Sequence, residues 1–244
     1  MKENKYDDEK FFDQYSRMSR SVDGLKGAGE WHEFRQLFPA LKGKRLLDLG
    51  CGFGWHCRYA IEQGAVSALG LDLSRNMIEG AKERNALPDI EYRCMAIEDY
   101  EFPEGTFDVV VSSLAFHYLE SFDEICRKVK RCLVSGGSFV FSVEHPVFTA
   151  YGTQDWVYDE QGQPLHWPVD RYFSEGKRTA NFLGEEVVKY HKTLATYING
   201  LIRNGFEITG LVEPEPDKAL FDAIPGMENE LRRPMMLLVS AVKK

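Results

Sequence analysis

Residues 46–54 read Leu-Leu-Asp-Leu-Gly-Cys-Gly-Phe-Gly, an apolar run that ends in three alternating glycines. A helix-like segment, Trp55 to Gln63, follows. A strand that turns sharply into a helix with its backbone pressed against a ligand needs residues without Cβ atoms. The strand Arg45–Leu49 delivers Gly50, Cys51 and Gly52 to the carboxyl edge of a parallel sheet, where open α/β sheets bind ligands.

The glycine spacing narrows the ligand. A dinucleotide fingerprint is G-x-G-x-x-G, whose third glycine packs helix on strand. Here the third glycine is Gly54, and the bulky Trp55 stands where that motif has no side chain. Asp48, just before the loop, suits a cationic amine better than a pyrophosphate. Both departures point to a smaller, positively charged ligand.

Downstream, the apolar strand Val66–Leu71 ends at Asp72, at the spacing expected for a carboxylate that accepts hydrogen bonds from ribose hydroxyls. Ser74 is placed to cap a helix over Arg75–Asn85. After a third strand, Ile90–Cys94, the run Met95-Ala96-Ile97-Glu98-Asp99 offers small and apolar residues to flank a purine and acids to bind its edge. A fourth strand, Phe107–Ser112, continues into Ser113-Leu114-Ala115-Phe116-His117-Tyr118.

Together these segments, with Leu133-Val134-Ser135-Gly136-Gly137 leading into a fifth strand, resemble the class I S-adenosylmethionine (SAM)-dependent methyltransferases. The resemblance covers residues 40–145 well and the last third in outline. It implies an α/β fold: a doubly wound, Rossmann-like, seven-stranded and mostly parallel sheet whose last strand is antiparallel. It implies SAM as cofactor and S-adenosylhomocysteine (SAH) as product. It places Gly50, Gly52 and Gly54, with Asp48, around the methionine part. Asp72, Leu73 and Met77 go to the ribose side, Ala96, Ile97 and Glu98 to the adenine, and Ser112 to the sulfonium side. Tyr15 and Arg20, in the helical segment before the first strand, are expected to cover the cofactor and pair with its carboxylate.

The chain has 244 residues, enough for one α/β domain. It divides into an N-terminal helical cap (1–40), a cofactor-binding core (41–145), a lid or substrate insertion (146–184), and a helix with a strand hairpin (185–244). A net charge of -8 and a pI near 5.4 oppose a nucleic-acid substrate. The first nine residues contain no apolar run, and no stretch approaches 18 apolar residues, so neither a secretory leader nor a membrane span is expected. Five cysteines without Cys-x-x-Cys spacing suit reduced thiols in a cytoplasmic protein and oppose a metal site. The expected partner is a small, partly aromatic or apolar acceptor, and the expected state is a monomer or homodimer.

Residues 147–183 hold eight aromatic residues among glycines and prolines, in the position of a lid above the cofactor. Apolar spacing at Val187, Tyr190, His191, Leu194, Tyr197 and Leu201 predicts a helix over about 185–204. The strands Phe206–Leu211 and Met235–Val242 follow, and the loop between them has the reach to enter the site. His117 and then His145 are the candidate general bases. His166 lies in the insertion, and His191 reads as a packed core residue. Two other readings stay open: a SAM-binding protein without methyl transfer, and a nicotinamide-dependent oxidoreductase, which Trp55 opposes.

Overall fold

The computed structural model describes residues 4–217, 221 and 226–244. Eleven strands are present among them: β1 Arg45–Leu49, β2 Ser67–Asp72, β3 Ile90–Cys94, β4 Phe107–Ser113, β5 Leu133–Glu144, β6 Val157–Tyr158, β7 Pro164–His166, β8 Gly176–Phe182, β9 Glu185–His191, β10 Phe206–Val212 and β11 Met236–Lys243. The α-helices are α1 Glu9–Ser16, α2 Ser19–Val22, α3 Trp31–Phe34, α4 Trp55–Glu62, α5 Arg75–Asn85, α6 Phe122–Cys132, α7 Pro146–Thr149 and α8 Leu194–Arg203.

Seven strands form one sheet in the order β10-β11-β5-β4-β1-β2-β3. β1 pairs in parallel with β2 and β4, whereas β11 runs antiparallel to both β5 and β10. The sheet is the one the sequence implied: six strands point one way and the last points back.

Side-chain alternation divides the core between the two faces. Leu47, Leu49, Val110, Phe139, Phe141, Leu237 and Val239 pack with Phe122 of α6 and Tyr197 of α8 on one face. Leu46, Val109, Val111, Val140 and Leu238 pack with Ala60 of α4 and Ile78 of α5 on the other. Phe141 is fully buried between its neighbours, and Phe141→Ala would cost about 3–5 kcal/mol. Helix starts are set by side-chain oxygens: Ser74 accepts from the Met77 N–H, Ser121 from Glu124 and Thr193 from Thr196.

The expected helix over 185–204 is corrected. Residues 185–191 form β9, paired antiparallel with β8 from Phe182↔Glu185 to Gly176↔His191. The two-residue turn Leu183-Gly184 has positive φ at both positions (53° and 74°), the geometry whose twist matches a hairpin. Val187, Lys189 and His191 are buried in alternation, and the helix begins only at Leu194. The insertion is thus two hairpins, β6–β7 and β8–β9, and the second extends to His191.

Candidate active site

The strands β1, β2, β4 and β5 end along one edge, and a cavity of about 1100 Å³ opens there. Its floor is the glycine loop. Gly50 and Cys51 both donate their N–H to the Leu71 carbonyl (2.8 and 2.9 Å), which folds the chain back over β2. The three glycines have φ of 78°, 52° and 77°, a region that side chains disfavour. A Cβ on Gly50 would stand 2.5 Å from the Ala115 Cβ, and one on Gly54 would stand 2.2 Å from the Tyr92 hydroxyl. A Cβ on Gly52 meets no protein atom within 4 Å, although Gly52 lines the cavity. Two of the glycines therefore serve packing, and one leaves room for a ligand.

Asp72 is tied to this loop. Its Oδ2 accepts from the Gly52 N–H and its Oδ1 from the Ser74 N–H, both at 2.9 Å. Burial nevertheless pushes its carboxyl up to about 6, against those hydrogen bonds. Next to it Leu73, Met77, Ala96, Ile97 and Glu98 line the cavity. Ile97 is buried under them in a short 3₁₀ turn, Ile97–Asp99.

The N-terminal segment closes this end. Asp7 accepts from Ser74 Oγ (2.6 Å) and from the Asn76 N–H (3.1 Å), so it caps α5 from outside. Tyr6, Tyr15, Met18 and Arg20 then reach the cavity wall. Arg20 donates to both oxygens of the buried Glu30 at 2.6 and 2.7 Å. Trp55, starting α4, packs against Gly24 of this segment, where a Cβ would lie 2.8 Å from the indole.

Residues 47–141 match the family model for a methyltransferase domain. A crystal structure of an S-adenosylmethionine-dependent methyltransferase from Mesorhizobium loti is 44% identical, superposes with a TM-score of 0.83, and covers 90% of this chain and 100% of its own. The chain belongs to the class I SAM-dependent methyltransferases. A Listeria monocytogenes structure assigned to the same activity is 57% identical, with a TM-score of 0.86 over 91% of this chain and 99% of its own. An uncharacterized Haemophilus influenzae protein is 35% identical over 98% of this chain and 96% of its own length.

The methyltransferase site fits SAM on its own geometry. Gly52 leaves the floor open, and the Asp72 carboxylate reaches the wall while accepting from the Gly52 and Ser74 N–H groups. Among the expected cofactor residues, Gly50, Gly52, Asp72, Leu73, Met77, Ala96, Ile97, Glu98, Tyr15 and Arg20 share the one cavity. Asp48, Gly54 and Ser112 stand outside it. Strand alternation turns Asp48 to the face under α4, where it is fully buried and accepts from the Cys57 thiol (3.7 Å). Burial raises its carboxyl to about 8, which favours the neutral form, and the side chain does not reach the cavity where an amine would sit. Ser112 is turned to the other face and donates to the Leu49 carbonyl (2.6 Å), leaving Ser113 at the cavity.

The far end of the enzyme's cavity is walled by Tyr118, Glu144, Phe148, Gln154, Lys189 and Tyr190. Of the two expected bases, only His117 is there. Its Nδ1 accepts from the Glu144 N–H (3.4 Å), which assigns the proton of the neutral ring to Nε2, 4.0 Å from Glu144 Oε1. Burial lowers its pKa to about 4, so the ring as placed is a hydrogen-bond donor rather than a base. His145 is corrected: it caps α7 through Nδ1 (Val147 N–H, 3.1 Å) and faces Glu213 Oε1 at 2.8 Å, outside the cavity. His166 is exposed on β7. His191 is a satisfied core residue between Thr149 Oγ1 and the Tyr172 carbonyl, both at 2.8 Å, though on a strand.

Sequence reasoning passed over Glu144, Gln154 and Lys189. Lys189 Nζ lies 2.5 Å from Glu144 Oε1 and 2.8 Å from Gln154 Oε1, and Gln154 Nε2 donates to Glu144 Oε2 at 2.7 Å. Part of the loop before β11 (218–220 and 222–225) lies outside the described residues. Its described end brings Met235 and Met236 to the cavity. Among the described residues no group of three or more His, Cys, Asp or Glu is placed to hold a metal, and no helix is long and apolar enough to cross a membrane.

Proposed function

We propose that the enzyme methylates a small, partly aromatic or apolar molecule held in the same cavity as its cofactor. One observation carries this reading: the cavity runs without interruption from Asp72 and Ile97 to Glu144 and Phe148, and at about 1100 Å³ it exceeds the space one ligand needs. Ordinary small-molecule pockets span roughly 300–1,000 Å³. The β8–β9 hairpin forms part of the wall, which favours a compact acceptor over a polymer.

Asp72 receives the ribose hydroxyls with Leu73 and Met77 on the same side, and Ala96, Ile97 and Glu98 hold the adenine. Gly50 and Gly52 leave space for the methionine part, while Tyr15 and Arg20 cover its carboxylate. SAM, when bound, supplies a methyl group on a positively charged sulfur, so the leaving group needs no activation by the protein. The chain's task is to align the acceptor and exclude water. Alignment of this kind is worth about 7–11 kcal/mol. Phe148, Phe182 and Met235, which share the wall, exclude water from the acceptor side.

Isothermal titration with SAM and SAH tests the cofactor half, with micromolar-range binding expected and its loss on Asp72→Ala. Incubation of the protein with isotopically labelled SAM and fractionated metabolites tests the acceptor half. Label recovered in a compound too large for the cavity, or only in macromolecules, would sink the proposal.

A further inference from the structure

We propose that the acceptor presents an N–H or O–H group, as an amine or a hydroxyl compound, to the carboxylate of Glu144, and that Lys189 and Gln154 are positioning residues that hold this carboxylate. The inference rests on the methyltransferase reading and names the substrate class of the same site.

Glu144 is the last residue of β5, so the sheet itself carries it to the edge where the methyl group is delivered. Its side chain is 15% exposed, and it lines the cavity. Although burial raises its pKa, the Lys189 ammonium and the hydrogen bonds from Lys189 and Gln154 work against that effect, and the group stays ionised. An ionised carboxylate only accepts hydrogen bonds and has about four lone-pair sites. Lys189 takes one on Oε1 and Gln154 takes one on Oε2. The capacity left over suits a donor.

Lys189 is itself 3% exposed, with its ammonium engaged by Glu144 and Gln154. It balances the carboxylate rather than offering a free cation to an anionic acceptor. A carboxylate or phosphate nucleophile here would bring its charge against acceptor-only oxygens, which is costly in a water-poor site. Lys177 also reaches the wall, and Lys5 does so while facing Glu185 at 3.9 Å. Anionic compounds are therefore included as an arm of the test.

The transfer balances with these groups. The acceptor's lone pair forms the bond to the methyl carbon as the carbon–sulfur bond breaks, and that electron pair stays on sulfur. The N–H or O–H proton passes to Glu144, which later returns it to water. Lys189 and Gln154 come from the lid, so the carboxylate is fixed only when the β8–β9 hairpin and residue 154 are in place.

The test uses the full chain, labelled SAM, and a panel of aryl and alkyl amines, phenols and alcohols, with matched carboxylic acids and phosphate monoesters. Each variant is checked for SAH binding by calorimetry. The expected result is label in an amine or hydroxyl compound, with kcat/KM for it lowered about 10²-fold or more in Glu144→Gln and SAH affinity within about twofold of the parent. Lys189→Met is expected to shift the kcat–pH midpoint upward, and Lys189→Arg to restore part of it, which a merely structural lysine would not do. Label only in carboxylic acids or phosphates, or in nothing on the panel while SAH still binds, overturns the proposal. So does wild-type turnover by folded Glu144→Gln. Loss of SAH binding by the parent protein would instead overturn the wider reading.

Discussion

The phenol oxygens of Tyr6 and Tyr118 lie 3.1 Å apart and join the N-terminal segment to the loop after β4. Both residues line the cavity, and burial raises the Tyr6 pKa well above its ordinary value, so this is a contact between neutral hydroxyls. The Tyr6 ring is held separately, edge-on to Phe11 (5.2 Å) and Tyr15 (4.9 Å). Tyr6→Phe removes only the hydroxyl, a loss of about 1 kcal/mol. Calorimetry should show SAM affinity reduced by about fivefold with little change in Tm. An unchanged affinity would mean that the segment closes without this bond.

The glycine loop makes a paired prediction. Gly54→Ala drives a methyl into the Tyr92 hydroxyl, and overpacking of this kind costs about 1–3 kcal/mol. It should lower Tm. Gly52→Ala meets no protein atom and carries only the backbone cost of its positive φ, about 1–2 kcal/mol. It should weaken SAM binding far more than its loss of stability explains. Thermal melts and titrations on the two variants separate the effects; equal losses in both would refute the division of roles.

Asp72 gives the site a pH dependence. Its folded pKa of about 6 lies above the roughly 3.9 of an unfolded aspartate. Its contribution to stability is therefore fully present below about pH 4 and is lost as pH rises through about 6. Binding runs the opposite way, because ribose hydroxyls donate to the ionised form. SAM affinity should rise from pH 5 to pH 7 with a midpoint near 6, and Asp72→Asn should flatten the curve. A profile that stays sloped in Asp72→Asn would assign the titration elsewhere.

An arginine in an aromatic cage ties the 147–167 segment to the start of β11. The Arg233 guanidinium lies 4.0 Å from the Trp167 ring centre and 4.6 Å from that of Phe148, with Trp156 at 5.5 Å. Glu230 holds it at 2.8 Å. A buried cation–π contact contributes up to about 2 kcal/mol. Arg233→Ala should speed amide exchange across residues 147–167 by about tenfold or more and raise the acceptor KM, while leaving SAH binding intact. Unchanged exchange in that segment would show that other contacts hold it.

The cofactor half was legible in the sequence because its residues are local. Gly50 and Gly52 follow β1, Asp72 ends β2 and Ile97 follows β3, so each lies within three residues of a strand's carboxyl end. The failures have the same physical origin. Asp48 precedes the loop, but a strand's alternation turns it under α4, and reading position without facing assigned it to the ligand. Residues 187–191 satisfy both periods: Val187, Tyr190 and His191 suit a helix, whereas Val187, Lys189 and His191 suit a strand. The deciding turn is Leu183-Gly184 rather than the Asn-Gly that usually marks such hairpins. The cluster around Glu144 was hidden because its partners come from separate segments, at Gln154 and Lys189, and no local spacing announces them.

The reversal of β11 has a consequence for biosynthesis. β5 carries Phe139, Phe141 and Val143, and its outer edge is paired only by β11, from Met236↔Glu144 to Val242↔Ser138. A ribosome releases β5 long before it makes residue 236, so a nascent or truncated chain presents an apolar strand with an open row of amides. Unpaired edges of this kind recruit other chains. Shortening the protein ahead of β11 should therefore yield aggregates rather than a cofactor-binding fragment, even though every expected SAM contact lies upstream.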